Sequence, residues 1–266
     1  MKLRQLAMIL VTTYTGFIFT AHASTPQPVF SPEQEARIGE IAADYLVAHP
    51  EVLVTISQKL LAQQQRQQAK FALSVMENQD QLLNDRDTPA SGPENARVAV
   101  IEFFDYQCVF CSRFAPELEK VMKAQPDVRY IFKEWPIFGG RWDASLQAAQ
   151  QGLSVWKQKG PEAYLAYHNA IYATGHVEGK LTAADIRAAA VKAGAGTTEP
   201  TDNTALLEKN NNLAEALGLT GTPGIIVMPV TGATPATVTV FPEAVTAEKL
   251  QAAIRKATPV QYTPHQ

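Results

Sequence analysis

The stretch IEFFDYQCVFCSRF, residues 101–114, holds both cysteines of the chain, Cys108 and Cys111, two residues apart. Before the pair, RVAVIEFF (97–104) is rich in β-branched and aromatic residues and reads as a buried strand. After it, the chain reads as a helix through about Ala124, stopped ahead of Pro126. A cysteine that opens a helix faces unpaired backbone N–H groups and the positive end of the helix dipole. These lower its pKa from about 8.5 into the range of about 3.5–7.5 found for such pairs. Cys111 comes one turn deeper on the same face, within bonding range of Cys108. The expected geometry is an exposed attacking thiol, Cys108, and a sheltered resolving thiol, Cys111.

Other uses of the pair are weaker. A disulfide enclosing two residues removes little entropy from the unfolded chain, so it would be a poor staple. Zinc needs two further ligands, and there is no second cysteine pair. His49, His168, His176 and His265 show no paired spacing. Neither a metal nor a cofactor is expected.

Outward from the pair, the N-terminus bears on its chemistry. Met1-Lys2-Leu3-Arg4, an apolar run from about Leu6 to Thr20 and Ala21-His22-Ala23 form the pattern of a secretory signal, residues 1–23, cut before Ser24. The run is broken by Thr12, Thr13, Tyr14 and Thr15 and is shorter than the roughly 20 residues a span needs. Export is therefore expected, into an oxidising compartment. A net charge of −3 and a pI near 6.0 offer no basic patch for nucleic acid or anionic lipid. With 46% hydrophobic residues, a 266-residue chain can bury a real core.

Residues 24–84 are expected as an N-terminal helical segment, helical from Ser31, a good cap followed by Pro32 and an acidic first turn. Ile38, Ile41, Tyr45 and Leu46 make one apolar stripe, and Val52, Ile56 and Leu60 continue it beyond a break at Pro50. A lone helix with one stripe is marginal in water. Either the pair lies on the main domain, or it projects as a stalk that meets copies of itself over residues 31–84; the stalk is the favoured reading. DRDTPASGPEN gives 85–96 a linker composition, and 97–258 is the expected main domain. In it VRYIFKEW (128–135) reads as a second strand, about 140–217 as a helical insertion, and GIIV (224–227) and TVTV (237–240) as two short strands before a closing helix. Residues 259–266 read as a loose tail.

E-F-F-D-Y-x-C-x-x-C, the downstream IFKEWPIFG and Gly221-Thr222-Pro223-Gly224-Ile225 resemble the DsbA-like thiol–disulfide oxidoreductases of the thioredoxin superfamily, over about residues 97–257. FSPEQEARIGEIAADYLVAHPEVL resembles more narrowly the suppressor-of-copper-sensitivity protein C group and the related fimbrial-operon BcfH protein. The resemblance implies an α/β thioredoxin fold with an inserted helical domain, an N-terminal stalk that makes homotrimers, and a periplasmic location. It implies exported proteins with cysteines as substrates and a membrane thiol–disulfide redox partner. Carried over by position, Cys108 is the nucleophile, Cys111 the resolving thiol, and Pro223 the cis-proline facing them, with the Thr222 backbone left free to pair with a client strand. Glu102 falls where the family often places a buried acid. A carboxylate inside an apolar strand is costly unless it works or is paired. It is expected to take the proton of Cys111 or tune its pKa, with Lys133 as its partner; the alternative is a strand-edge carboxylate in water.

Val109 and Phe110 put no polar, charge-stabilising residue between the cysteines, unlike the family's strong oxidants. A less stable thiolate makes a less oxidising disulfide. Thr222 also resembles the isomerase branch. The expected activity is disulfide isomerisation, alone or with oxidation. The alternatives are a dithiol oxidase, or a copper-tolerance or fimbrial-assembly binding partner or chaperone.

Overall fold

Ser31 opens the first helix: its hydroxyl accepts from the Gln34 N–H while the Gln34 side chain returns to the Ser31 N–H, with Pro32 next. This helix, α1, runs Pro32–Ala48, and Pro50 separates it from α2, Glu51–Glu77. The computed structural model describes residues 29–196 and 200–258, so the leader 1–23 and the tail 259–266 lie outside the described residues. Among those described, no helix is long and apolar enough to cross a membrane. The chain divides into two units between Gln58 and Lys59. In the first, α1 buries none of its residues, and Ile38, Ile41, Tyr45 and Ile56 stand exposed.

In the second unit the character of α2 changes. Its Phe71, Ala72 and Val75 are buried, as is Leu82 of α3, Gln79–Leu83. They share a core layer with Ile101, Phe103, Leu217 and Ile226. The helical segment expected over 24–84 is thus not uniform, because from Phe71 onward it belongs to the main domain's core.

Residues 85–96, expected as a linker, are also part of that domain. Ala90–Ser91 form β1, which pairs antiparallel with β3, Arg129–Glu134. Two residues are too few to show alternation, and the neighbouring prolines suit an edge strand, where a missing N–H costs nothing.

At the centre of the sheet lies β2, Val98–Phe104, buried at all seven positions. It runs parallel to β3 and antiparallel to β4, Gly224–Pro229, which pairs in turn with β5, Thr239–Phe241; the strand order is β1-β3-β2-β4-β5. Strand alternation puts Val98, Val100, Glu102 and Phe104 on one face and Ala99, Ile101 and Phe103 on the other. The first face is covered by α4 (Val109–Ala124), α9 (Ala247–Ala257) and the helices α5 (Asp143–Lys159), α6 (Pro161–Ala173) and α7 (Ala183–Lys192). The second is covered by the end of α2, α3 and α8, Thr204–Leu217.

This placement corrects the expected insertion of about 140–217. Leu213, Ala214 and Leu217 of α8 pack on the sheet, while Leu206 and Leu207 touch Ala149 and Leu153 of α5. The inserted helices are therefore α5–α7, and α8 is one of the sheet's own. Sheet order and helix placement together make a thioredoxin fold with an inserted helical domain.

Candidate active site

The strand β2 ends at Phe104, and a short loop leads to Cys108, the N-cap of α4. Its backbone is extended (φ −78°, ψ 119°), and its sulfur accepts the Cys111 N–H at 3.4 Å, as a capping oxygen would. Across the site, the Cys108 thiol donates to the Thr222 carbonyl at 3.2 Å, and the Thr222–Pro223 peptide bond is cis. Both cysteines are free thiols. Cys108, Cys111, Thr222, Pro223 and Glu102 thus gather at one end of the central strands.

One expectation about this gathering changes. Cys108 is only 3% exposed against 0% for Cys111, so the contrast between an open attacker and a sheltered resolver is smaller than the sequence implied. At Thr222, whose backbone is expected to pair with a client strand, the carbonyl accepts the Cys108 thiol and keeps a second lone pair.

The two thiols are driven apart electrostatically. Cys108 is lowered from 9.0 to about 6, first by a hydrogen bond from the Cys111 thiol and against the pull of burial, with the Cys111 and Phe110 N–H groups adding to it. The leading contribution therefore comes from the partner thiol, and the backbone groups come later. Burial pushes Cys111 well above 9.0, and the neighbouring Cys108 and Glu102 push it the same way. These shifts favour the thiolate at Cys108 and the protonated thiol at Cys111.

Glu102 lies on the thiol side of the sheet, 1% exposed, and neither carboxylate oxygen has a hydrogen-bond partner. Burial raises it from 4.5 to about 8, with the Cys108 charge adding. The strand-edge alternative is overturned by this burial. Lys133 is not its partner: it pairs in register with Phe103, so it points to the opposite face. There its ammonium donates to Gln81 O and Thr88 Oγ1 and lies 3.6 Å from Asp85.

A second buried acid escaped the sequence reading. Glu134, on the same face of β3 and two residues beyond Phe132, the register partner of Glu102, takes hydrogen bonds at Oε1 from Tyr106 (3.1 Å) and Tyr164 (2.8 Å). Burial raises it well above 4.5. His168 stands against Phe104, Phe132 and Tyr172, and burial lowers it to about 4, so it stays neutral. Gly152 of α5 makes room for this cluster: a Cβ there would meet Glu134 Oε1 at 2.8 Å and Tyr106 Oη at 3.3 Å. A mid-helix glycine-to-alanine change ordinarily stabilises by about 1 kcal/mol. Gly152→Ala is expected to destabilise instead, by about 1–3 kcal/mol in urea unfolding, because nothing rigid in the cluster can give way.

Among the described residues, no three His, Cys, Asp or Glu side chains converge as a metal site would require. The site is that of a thioredoxin-fold dithiol protein, with a paired-cysteine helix start facing a cis-proline loop.

Comparison with known proteins agrees. A family model described as Thioredoxin matches residues 84–256, and one described as the Copper resistance protein ScsC N-terminal domain matches residues 34–70. The chain belongs to the thioredoxin family. BcfH of Salmonella enterica Typhimurium is 40% identical over 85% of this chain and 96% of its own, with a TM-score of 0.67. The catalytic domain of Proteus mirabilis ScsC is 30% identical over 70% of this chain and 97% of its own, with a TM-score of 0.59. A thioredoxin-like oxidoreductase of Silicibacter pomeroyi DSS-3 is 31% identical over 67% of this chain and 96% of its own, with a TM-score of 0.54. No curated protein matches.

Proposed function

We propose that this protein is a periplasmic disulfide isomerase that can also oxidise, acting on exported proteins through Cys108 and Cys111. The observation that carries the reading is the pair's asymmetry, one thiol lowered to about 6 and its neighbour one helical turn away raised. The Cys108 thiolate attacks one sulfur of a client disulfide, forms a mixed disulfide and expels the other client sulfur as thiolate. In isomerisation client thiolates exchange with the client's other disulfides, and one of them then attacks the client sulfur of the mixed disulfide, forming a new client disulfide and expelling Cys108 as thiolate, with no net electron transfer. In the redox branch Cys111 gives its proton to Glu102 in that carboxyl's ionised form, the minority at neutral pH, and attacks the Cys108 sulfur. The client departs reduced, and a Cys108–Cys111 disulfide remains; oxidation of a client is the reverse.

Several features favour isomerisation. A pKa near 6 keeps Cys108 largely ionised at neutral pH, yet sits above the value of about 3.5 seen in the strongest oxidants. Val109 and Phe110 supply no charge, and Phe110 stands exposed. The uncovered stripe of α1 suits a homotrimer, which would enclose a client among several dithiols while it reshuffles. The leader supports export, and a membrane thiol–disulfide protein would then restore the pair's working redox state.

Reactivation of scrambled ribonuclease by the full chain tests this. Activity is expected at an intermediate glutathione poise, and none at any poise would sink the isomerase assignment. Deleting residues 24–58 is expected to yield a monomer with reduced isomerase activity; the cut stops well short of Phe71, which belongs to the core. An unchanged mass in solution would refute the stalk's role. If the pair is found mainly as a disulfide in cells, the protein is a dithiol oxidase instead.

A further inference from the structure

Residues 105–107, immediately before Cys108, are gripped from outside by groups that the exchange chemistry does not use. The Phe138 N–H (2.9 Å) and the Ser145 hydroxyl (2.7 Å) donate to one oxygen of Asp105, and the Gln107 N–H (2.7 Å) donates to the other. The Asp105 carbonyl accepts from the Tyr172 hydroxyl at 3.1 Å and from the Cys108 N–H at 3.0 Å. At Gln107 the backbone carbonyl accepts the Glu178 N–H at 3.0 Å, and the side-chain oxygen accepts the Gly179 N–H. Asp105 and Gln107 are both buried.

Apart from the Gln107 and Cys108 N–H groups, these donors come from the turn after β3, from α5, from α6 and from the turn between α6 and α7. That last turn is held in an uncommon shape. Glu178 has φ 55°, a left-handed conformation that non-glycine residues seldom adopt, and Gly179 has φ 88° with its missing Cβ facing the Trp142 ring. Such backbone persists where the surroundings over-determine it.

We propose that Asp105 and Gln107 are positioning residues through which the inserted helices set the reactivity of Cys108. The proposal rests on reading Cys108 as the attacking thiol. The sulfur accepts the Cys111 N–H at 3.4 Å, an ordinary distance for a sulfur acceptor, and keeps that contact only while the loop holds Cys108 at the helix start. The Asp105 carbonyl fixes the Cys108 N–H, and the Asp105 carboxylate and the Gln107 carbonyl fix the segment on which that carbonyl sits. Three donors meet the Asp105 carboxylate without a cation, an arrangement an amide cannot reproduce, since one of its two ends is itself a donor. The Cys108 environment is thereby tied to side chains far along the chain, and the insertion acts as the rigid side of the site.

The test is the Cys108 pKa, followed by thiolate ultraviolet absorbance and by the pH dependence of alkylation, in the full chain carrying Asp105→Asn, Gln107→Leu or Tyr172→Phe. The first two are expected to raise it by about one unit toward the ordinary thiol value, and Tyr172→Phe by about half as much. The reduction potential should become correspondingly more negative, because the reduced form loses stability. A loop contact that serves only stability would lower the unfolding midpoint and leave the thiol where it was, so an unmoved pKa in folded variants overturns the proposal. Should Asp105→Asn fail to fold, Tyr172→Phe, which removes one hydroxyl, decides the matter alone. If wild-type protein shows no thiol titrating well below 9, it is the functional reading that fails.

Discussion

Replacing Cys108 with serine is expected to abolish disulfide exchange, by at least about a thousandfold, while leaving the fold intact. A serine hydroxyl stays protonated in any pH range the protein tolerates, and it has no adjacent base to activate it. Cys111 cannot substitute: it is fully buried, and its thiol is held well above 9.0 by burial and by its neighbours. Stability should change by no more than about 1 kcal/mol, because Cys108 serves α4 as an N-cap and serine is among the best residues there. Scrambled-ribonuclease reactivation and urea unfolding read the two halves separately. A Cys108→Ser strain that keeps full copper tolerance or fimbrial assembly would instead mark the protein as a binding partner whose dithiol is secondary.

What the sequence disclosed follows a physical pattern. The central strand, the helix start at Cys108 and the break at Pro50 were legible because each has a strong local signature: continuous burial, a capping position, a missing N–H. The buried Glu102 was legible for the same reason, being a charge in an apolar run. Glu134 carries the same signal, since it ends the buried strand RYIFKE beside the equally buried Lys133. What misled was phase. Register puts Lys133 opposite Phe103 and Glu134 one residue further, and only the parallel pairing of β2 and β3 decides which of the two shares a face with Glu102. Long-range assignments were not legible at all. Composition makes α8 resemble the inserted helices, yet it lies on the sheet; β1 is two residues long; and the end of α2 looks like stalk until Phe71 and Val75 are seen in the core. Gln107 carried no signal, because a glutamine's importance here depends on a turn about seventy residues later.

Glu102→Gln is expected to make the protein both more stable and slower. Folding holds this carboxyl at a pKa of about 8, against 4.5 when unfolded, chiefly through burial. Between those values the folded state keeps a proton that the unfolded state has released, so the native form binds more protons and stability falls as pH rises. The penalty is absent below pH 4.5, grows through the window and levels off above about pH 8. At pH 7 it amounts to about 3 kcal/mol, which glutamine, never charged in either state, does not suffer. Because neither oxygen of Glu102 has a partner to lose, the substitution breaks no hydrogen bond in return. Urea unfolding of the reduced proteins should therefore show a small difference near pH 4 and a gain of about 3 kcal/mol for the variant at pH 7; a difference independent of pH would sink the argument. Resolution of a mixed disulfide by Cys111 should slow by about a hundredfold, the ordinary loss on removing a general base. A carboxylate kept only for structure would give the opposite sign on stability and no change in that step. The cost of holding an unpaired acid beneath Cys111 is thus itself the argument that it moves the Cys111 proton.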